Sequence, residues 1–517
     1  MSAIVPVEAP RGWFRRLLVP SLLDVFFLAL LLAAFAHPQG LRSLLSDGDT
    51  GWHIRTGELV LQTGRAPVAD PFSFSRPHQP WFAWEWLADV VFARAWQWRG
   101  IGEVAALAGV ALCLAAVALL LWLLRRGAGL WIAAGTTLAV FSASSAHYLA
   151  RPHVFSILLY TLSLWALDED RRRSGPWIWL LVPAAALWAN LHGGFVVLLA
   201  TLALAAAVSA LERRWGRARR YGVLASLCLA ATCLNPYGWR LHLHIIQYLR
   251  SSWILDHVQE FQSPVIRSEG MVVFAVLLVG GIAMASRRLV RGEWFEGGLA
   301  LAWGFAALRS ARHIPFFAIA AAPAIASEGA LWWRGIAERA PLRSARRIFW
   351  DVGRDPGQAP RVSVWLALCA AAALATAGSA GGFPNTRFPV QAVERNQRLL
   401  APAGPDPRIL TSDQWADYLI FRFYPRQRVF FDGRSDFYGP DLGADYMNLA
   451  GAQDRCLELL DQYRFDLALL PRDWPLSTVL DGDAEWKRVY RDPVATLYAR
   501  QGIPNSERAA LHGEIRP

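Results

Sequence analysis

The chain has 517 residues, of which 54% are hydrophobic and 18% are charged, and its formal net charge is +11. The apolar residues are concentrated in blocks of about 20, the length that crosses the hydrocarbon of a bilayer, which indicates a membrane protein. The sequence contains no CxxC metal pattern, no cysteine framework and no glycine-rich phosphate loop. These absences argue against a disulfide scaffold and against a nucleotide site.

Eleven apolar blocks are predicted to be membrane spans, and together they predict a polytopic α-helical domain over residues 1–384. Neighbouring blocks run into each other, so the number is approximate. The blocks cover residues 17–36, 101–124, 128–149, 153–167, 176–191, 193–211, 220–234, 270–286, 296–308, 312–327 and 362–380.

Basic residues cluster at every second connection between the predicted spans. Under the positive-inside rule, these connections are cytoplasmic, and this placement explains the net positive charge without a nucleic-acid partner. We therefore expect a cytoplasmic N-terminus and an exterior C-terminal part. The clusters are Arg11/Arg15/Arg16, Arg125/Arg126, Arg171–Arg173, Arg213–Arg220, Arg287–Arg291 and Arg334–Arg361.

The first exterior loop, predicted over residues 37–100, carries acids directly after the first span, in the run SDGDTGWHIRTGE. One interpretation is that Asp49 only caps a helix over residues 50–63. If the helix begins there, His53 lies one turn later on the same face. The candidate functional residues of this loop are Asp47, Asp49, His53, Arg55 and Glu85.

Later exterior connections carry histidine, asparagine and arginine. For any single one of these residues, the alternative is a side chain at a span end that only reaches toward the headgroups. That alternative does not explain why the histidines are confined to the exterior connections. The candidates are Arg151, His153, His192, Arg309, Arg312 and His313.

These residue types predict a group-transfer site. A carboxylate at the membrane surface can act as general base for an acceptor, and arginines and histidines can hold the phosphate of a lipid carrier as leaving group. Asp49 is the predicted base, and Asp47 is the alternative or a partner that orients it. Asp47, Asp49 and Glu85 are also suited to share Mg²⁺ or Mn²⁺ through hard oxygen ligands. The sequence leaves metal use open.

The composition changes after the last predicted span. Residues 385–500 lose the apolar blocks, and strand-like runs at 428–431 (RVFF) and 466–470 (DLALL) alternate with helix-like stretches around 441–463. This pattern predicts a small exterior α/β domain, followed by a disordered tail over residues 501–517.

The layout resembles the GT-C superfamily of integral membrane glycosyltransferases. In the oligosaccharyltransferase catalytic subunits of that superfamily, an acid in the first exterior loop is followed six positions later by an arginine, as Asp49 is by Arg55. The segment SDQWADYLIF (412–421) is similar to their WWDYG motif, which helps to bind the acceptor. Ala416 and Leu419 depart from that motif, so acceptor binding is not carried over. The run from Asp47 to Leu87 is similar to a bacterial branch of the superfamily.

This resemblance implies transfer of a sugar from a polyprenyl-phosphate-linked donor to a glycan, lipid or protein acceptor of the cell envelope. The location would be the exterior, periplasmic face of a bacterial inner membrane, with membrane lipids as further partners and no nucleic acid. The alternatives are a polysaccharide polymerase or ligase that acts on polyprenyl-linked substrates, a transporter, and a non-catalytic membrane scaffold.

Overall fold

A computed structural model describes residues 17–35, 40–267, 270–354, 361–377 and 381–501. Within these ranges the chain is mostly helical, with one small sheet near its C-terminal end. The predicted tail from residue 502 onward and the first basic cluster lie outside the described residues.

The helices follow in chain order. They are α1 (Leu22–Phe35), α2 (Gly40–Leu44), α3 (Thr50–Thr63), α4 (Trp86–Arg99), α5 (Ile101–Arg125), α6 (Leu130–Ala143), α7 (His153–Arg172), α8 (Leu181–Leu191), α9 (Phe195–Leu211), α10 (Trp215–Ala231), α11 (Arg240–Arg250), α12 (Ser252–His257), α13 (Met271–Val290), α14 (Trp294–Arg309), α15 (Ile314–Glu338), α16 (Ala345–Gly353), α17 (Val364–Ala377), α18 (Val390–Arg395), α19 (Gln397–Leu400), α20 (Asp413–Phe423), α21 (Ser435–Ala450), α22 (Cys456–Gln462) and α23 (Pro475–Gly482). Short 3₁₀ turns cover Ser145–His147, Pro176–Leu180, Gln259–Phe261 and Ala311–His313.

A helix occupies each of the eleven apolar blocks predicted from the sequence. Among the described residues, three stretches are long and apolar enough to cross a membrane: Ile101–Arg125, Met271–Val290 and Ala311–Glu338. The number of spans therefore stays a prediction. The shorter apolar stretches are Leu22–Phe35, Leu130–Ala143, Pro176–Leu191, Phe195–Leu211 and Val364–Ala377.

Helix α5 lies at the centre of the helical part. It packs against α1, α4, α6 and α7, and 89% of its most apolar window is buried within the chain. Its alanine-rich sequence allows this, because small side chains let neighbouring helices approach closely. Only 33% of the most apolar stretch of helix α13 is buried within the chain. Most of its apolar surface therefore faces away from the other helices.

The predicted first loop folds as a pair of packed helices, α3 and α4, and helix α20 from the C-terminal part packs against α3. The observed bounds of α3 agree with the helix predicted over residues 50–63. At the contact between α3 and α20, a Cβ on Gly51 would lie 2.5 Å from the carbonyl oxygen of Asp417. A side chain there would push the two helices apart, so glycine keeps the start of α3 close to α20.

The C-terminal α/β region, residues 381–501, contains a four-stranded sheet. Strand β2 pairs in parallel with β1 and antiparallel with β4, and β3 pairs antiparallel with β4, which gives the order β1-β2-β4-β3. The predicted strand at 466–470 is confirmed by β2. The strands are β1 (Ile409–Leu410), β2 (Leu467–Pro471), β3 (Trp486–Arg491) and β4 (Ala495–Arg500).

The strand predicted at 428–431 is wrong, because this segment pairs with the first loop and not with the sheet. Val429 donates its N–H to the carbonyl of Phe72 over 2.9 Å and accepts a hydrogen bond from Phe74 over 2.9 Å. Val429 forms only an isolated bridge with Ser73. The apolar run is therefore buried by contact with a segment more than 350 residues earlier.

A buried ionic cluster reinforces this contact; we call it the Arg434 cluster. The Arg434 guanidinium lies 2.8 Å from Asp70 Oδ1 and 2.6 Å from Asp432 Oδ2, and the Tyr438 hydroxyl donates to Asp432 over 2.7 Å. The three charged side chains are at most 1% exposed. Because Asp70 belongs to the first loop, the cluster joins that loop to the C-terminal α/β region.

Candidate functional site

The site begins at the N-terminus of α3. Asp49 occupies the N-cap position, but its side chain makes no capping hydrogen bond. Its Oδ2 instead lies 2.8 Å from Nη2 of Arg151. Asp47 Oδ2 lies 3.1 Å from Nη1 of the same arginine, and Asp47 Oδ1 accepts the N–H of Asp49 over 2.9 Å. Two acids of the first loop therefore contact one cation from a later connection.

Backbone contacts explain why Arg151 lies there. The residue before it, Ala150, donates its N–H to Leu44 over 2.7 Å and accepts the Thr50 hydroxyl over 3.0 Å. Thr50 is the first residue of α3. The connection before α7 is thus tied to both sides of the acidic turn.

A third carboxylate completes the surroundings of Arg151. Glu260, in the 3₁₀ turn Gln259–Phe261, places Oε1 2.5 Å from Nη1 of Arg151. The turn is anchored by Ser310, whose hydroxyl donates to the Glu260 carbonyl over 3.0 Å. The Glu260 side chain is 31% exposed, so its carboxylate is only partly shielded from solvent.

Arg151 and Glu260 line one cavity of about 60 Å³, which we call the central cavity. Arg312, in the 3₁₀ turn that precedes α15, also lines it. Its guanidinium lies 4.2 Å from the ring centroid of Phe261. The lining residues are Glu85, His147, Arg151, Pro152, His153, Ile157, His192, Glu260, Arg312, Pro315 and Phe316.

The tautomer of His192 follows from its neighbours. The N–H of Gly194 donates to His192 Nδ1 over 2.9 Å, so this nitrogen accepts and carries no hydrogen. The Ser156 hydroxyl, which accepts from Trp188 Nε1–H over 2.7 Å, then donates to the same Nδ1, also over 2.7 Å. In neutral His192 the proton is therefore on Nε2, which lies 3.4 Å from Glu85 Oε1.

Glu85 lies between two imidazoles. Its second oxygen is 3.7 Å from Nε2 of His53, whose Nδ1 is 2.6 Å from Asp89. His53 therefore reaches the central cavity only through Glu85. His153 lines the cavity directly, and its Nε2–H donates to the carbonyl of His147 over 2.5 Å.

Burial controls the proton affinities of the acids. It raises the pKa of Asp49 to about 7, against the lowering effect of Arg151 and with a further raising effect from Asp47. Burial also raises the pKa of Glu85 to about 8. For Glu260, burial raises the pKa, but Arg151 and Arg312 outweigh it and hold that pKa below its usual range. Glu260 is thus ionised at neutral pH, whereas Asp49 and Glu85 hold their protons more tightly than free acids do.

The structure brings together seven of the predicted site residues. Asp47 and Asp49 contact the wall of the central cavity through Arg151, and the other five line it: Glu85, Arg151, His153, His192 and Arg312.

Three predicted residues lie elsewhere. Arg55 donates from Nε to the carbonyl of Phe421 over 2.9 Å and pairs with Glu58, so it joins α3 to α20. His313 donates from Nδ1 to a backbone carbonyl of α14 over 3.2 Å and does not line the cavity. Arg309 is exposed at the end of α14.

The described residues provide no arranged set of metal ligands. No three His, Cys, Asp or Glu side chains within them are grouped to hold an ion. Asp47 and Asp49 share the Arg151 guanidinium, while Glu85 lies between His53 and His192. The three acids predicted to share Mg²⁺ or Mn²⁺ therefore do not form one set of ligands within the described residues.

Sequence reasoning missed three residues of the site: His147, Glu260 and Asp417. Glu260 is the single acid of a short exterior stretch, QEFQ, which gave no motif. Asp417 lies within the SDQWADYLIF segment, but its contact with Asp49 depends on how α20 packs on α3. A charge count of each exterior connection would have identified Glu260.

Comparisons with known proteins give matches at the level of structure. The chain matches the archaeal oligosaccharyltransferase AglB from Archaeoglobus fulgidus, in complex with an inhibitory peptide and a dolichol-phosphate, with a TM-score of 0.52 and 12% identity over 96% of this chain and 76% of that one. It matches ArnT from Cupriavidus metallidurans, bound to undecaprenyl phosphate, with a TM-score of 0.52 and 14% identity over 95% and 98% of the two chains. No protein-family model and no curated protein sequence matches the chain.

AglB and ArnT are both GT-C glycosyltransferases. Both matches extend over almost all of this chain, so the similarity is not confined to one helical segment or to the small sheet. The chain therefore shares its fold with these two glycosyltransferases over most of its length, in agreement with the resemblance of its layout.

Proposed function

We propose that the protein is an integral membrane glycosyltransferase that moves a sugar from a polyprenyl-phosphate-linked donor to an acceptor of the cell envelope. One observation carries the proposal: the buried carboxylate of Asp49 contacts Arg151, and Arg151 and Arg312 line one cavity. A base and an anion-binding pair are thus close enough to act on a single bond, as group transfer requires.

Arg151 and Arg312 form the anion-binding pair, and they differ in their ionic partners. Arg151 is shared by Asp47, Asp49 and Glu260. Among the ion pairs of the described residues, none includes Arg312, whose guanidinium lies over an aromatic ring. A carrier phosphate would bind Arg312 and replace Glu260 on Arg151, because arginine donates paired hydrogen bonds to phosphate oxygens.

The histidines supply neutral groups around that phosphate. His192 directs its Nε2–H toward the cavity, and the hydrogen bonds at its Nδ1 keep it in this tautomer. His153 lines the same wall, but its Nε2–H donates to the His147 carbonyl, so the neutral ring has no second N–H for the phosphate. The Nε2–H of His192 is a neutral donor that can stabilise the phosphate without adding a further positive charge.

Asp49 is the proposed general base. As an acceptor hydroxyl or amide attacks the anomeric carbon, its proton passes to Asp49 Oδ2. The bond between that carbon and the phosphate oxygen breaks, and the electron pair leaves with the carrier phosphate, where Arg151 and Arg312 stabilise it. Attack opposite to the leaving group inverts the anomeric centre. A pKa near 7 suits a base that works at neutral pH.

The proposed location is a bacterial inner membrane, with the site on the periplasmic face and the N-terminus in the cytoplasm. The apolar helices and the basic clusters at alternate connections support this orientation. The C-terminal α/β region lies on the same face as the cavity in this proposal, because α20 contacts the first loop.

The two structural neighbours support a polyprenyl-phosphate carrier. AglB is seen with a dolichol-phosphate and ArnT with undecaprenyl phosphate. We extend this ligand class to the present chain because two arginines line its cavity, and arginine binds phosphate through paired hydrogen bonds.

The test is a transfer assay with polyprenyl-phosphate-linked sugars that compares wild type with Asp49→Asn. Asparagine keeps the shape of the side chain but cannot accept the proton, so we expect turnover to fall about 10²–10⁴-fold. Asp473→Asn, an exposed acid of the C-terminal α/β region, is the control and should keep full activity.

The same assay separates the alternatives. Wild-type turnover in Asp49→Asn, combined with loss in Arg312→Gln, would indicate a ligase or polymerase that needs no first-loop base. Full activity in both variants would rule out this cavity as the transfer site. Carrier or sugar movement across vesicles without transfer would indicate a transporter.

A further inference from the structure

Asp49 has a second carboxylate neighbour that the proposed function does not use. Asp417, in α20, is 0% exposed, and Asp49 is 5% exposed. Asp49 Oδ1 and Asp417 Oδ2 are both buried without a hydrogen-bond partner among the described residues. The other oxygens of the two side chains are satisfied by Arg151 Nη2 and by the N–H of Gly433.

The two unpartnered oxygens face the same point. A Cβ on Gly433 would lie 2.1 Å from Asp49 Oδ1 and 2.8 Å from Asp417 Oδ2. Glycine at this position therefore leaves just enough room for the two carboxyl groups to approach each other. Any side chain there would separate them.

Two ionised carboxylates cannot remain together in a buried site, because each disfavours the charge of the other. A single hydrogen between them satisfies both unpartnered oxygens and removes one charge. Asp49 already has a cation at Oδ2, whereas Asp417 has only a backbone N–H. The hydrogen therefore belongs on Asp417.

The wider surroundings favour the same assignment. Asp417 is faced by Asp49 from α3, by Asp432 from the segment before α21 and by Asp413 from its own helix. Two of these acids have cations of their own, since Asp49 pairs with Arg151 and Asp432 with Arg434. Burial and these three acids hold the pKa of Asp417 well above its usual range.

We propose that Asp417 is a positioning residue of this site: its protonated carboxyl donates a hydrogen bond to Asp49 Oδ1 and fixes the orientation of Asp49, so that Oδ2 stays against Arg151, which lines the cavity. This inference rests on the proposed function for its catalytic consequence. In this proposal, Asp417 of the SDQWADYLIF segment positions the base Asp49 and does not bind the acceptor.

The first test is thermal unfolding of the full-length protein in detergent between pH 5 and pH 9, for wild type and Asp417→Asn. A folded-state pKa above the unfolded value of about 3.9 contributes stability that is full at low pH and is lost as pH rises through the folded pKa. Asparagine never ionises. We therefore expect the Tm of Asp417→Asn to rise relative to that of wild type as the pH increases. The corresponding change in the relative folding equilibrium constant is about tenfold per pH unit between the unfolded and the folded pKa.

A matched control and a contradicting result are available. Asp473→Asn, the exposed acid of the same region, should keep a constant Tm difference from wild type over this range. A constant difference for Asp417→Asn as well would overturn the inference, because it would mean that Asp417 is ionised in the folded protein.

The second test is turnover. Asp417→Asn retains a donor toward Asp49 and should stay within about threefold of wild type, without the loss at high pH that ionisation of Asp417 causes. Asp417→Leu removes the donor and should lose at least tenfold. Wild-type turnover in Asp417→Leu, with an unchanged pH profile, would overturn the inference. If Asp49→Asn keeps full turnover, the proposed base fails, and the unfolding result still decides the protonation of Asp417.

Discussion

Glu260 Oε1 lies 2.5 Å from Nη1 of Arg151, in a cavity that Arg312 also lines. The protein thus places its own carboxylate on the arginine that a carrier phosphate is proposed to bind. Because the pKa of Glu260 is held low by Arg151 and Arg312, this carboxylate stays ionised at neutral pH. It therefore competes with a phosphate for the same hydrogen-bond donors.

Glu260→Gln is expected to bind undecaprenyl phosphate more tightly than wild type, by about tenfold. The substitution removes the competing charge, and a hydrogen bond to a charged group is worth about 1.5–3 kcal/mol. Binding to the full-length protein can be measured by calorimetry in detergent. Asp256→Asn, an exposed acid at the end of α12, is the control. Weaker binding by Glu260→Gln would mean that this acid supports the site and does not compete.

Arg312→Gln is expected to weaken binding of undecaprenyl phosphate at least tenfold and to reduce turnover. The variant removes the cation of the cavity that belongs to no ion pair of the described residues and that also helps to keep Glu260 ionised. Arg309→Gln is a matched control, because Arg309 lies three residues earlier but is exposed at the end of α14. If both variants lose the same amount of binding and turnover, the effect comes from the general loss of positive charge and not from the position of Arg312 in the cavity.

Turnover is expected to fall as the pH drops below about 7. Asp49 must be ionised to accept a proton, and burial raises its pKa to about 7. Below that value the ionised fraction falls about tenfold per pH unit, and kcat/KM should follow it. The measurement is a pH profile from 5 to 9 at saturating and at low donor. A rate that is constant from pH 5 to pH 7 would contradict Asp49 as the base.

Arg434→Met is expected to destabilise the protein by about 3–5 kcal/mol, because it leaves buried Asp70 and Asp432 without their cation. Thermal or denaturant unfolding in detergent measures the loss. Arg455→Met is the control, since this exposed arginine pairs with exposed Glu458 on the surface. If Arg434→Met unfolds at the wild-type temperature, the cluster does not hold the first loop.

The helices of the fold could be predicted from the sequence, because apolar blocks and alternating basic clusters are local signals. Helix α3 was predictable for the same reason, since Asp49 and Thr50 mark its start. The segment at 428–431 has an equally clear local pattern, yet it is not a strand of the sheet. Its backbone partners are in the first loop, and no local pattern contains that information.

The candidate site was predictable in its residue types and not in its pairings. From the sequence, we predict an acid with one role and phosphate-binding cations with another. The structure shows that Asp49 and Arg151 are in direct contact. The six-residue spacing to Arg55 matches the family motif, but helical geometry turns this arginine toward Phe421. Glu260 and Asp417 join the site through packing between distant segments, and neither belongs to a pattern that a single sequence reveals.

The bridge between Ser73 and Val429 has a consequence for biosynthesis. The first loop is made early, but its partners at Val429 and Arg434 are translated more than 350 residues later. Until these residues are synthesised, Asp70 lacks its cation, and Phe72 and Phe74 lack their backbone hydrogen bonds to Val429. A ribosome-bound chain that has inserted its helices would therefore still be inactive, and catalytic competence would begin only when the two distant segments join.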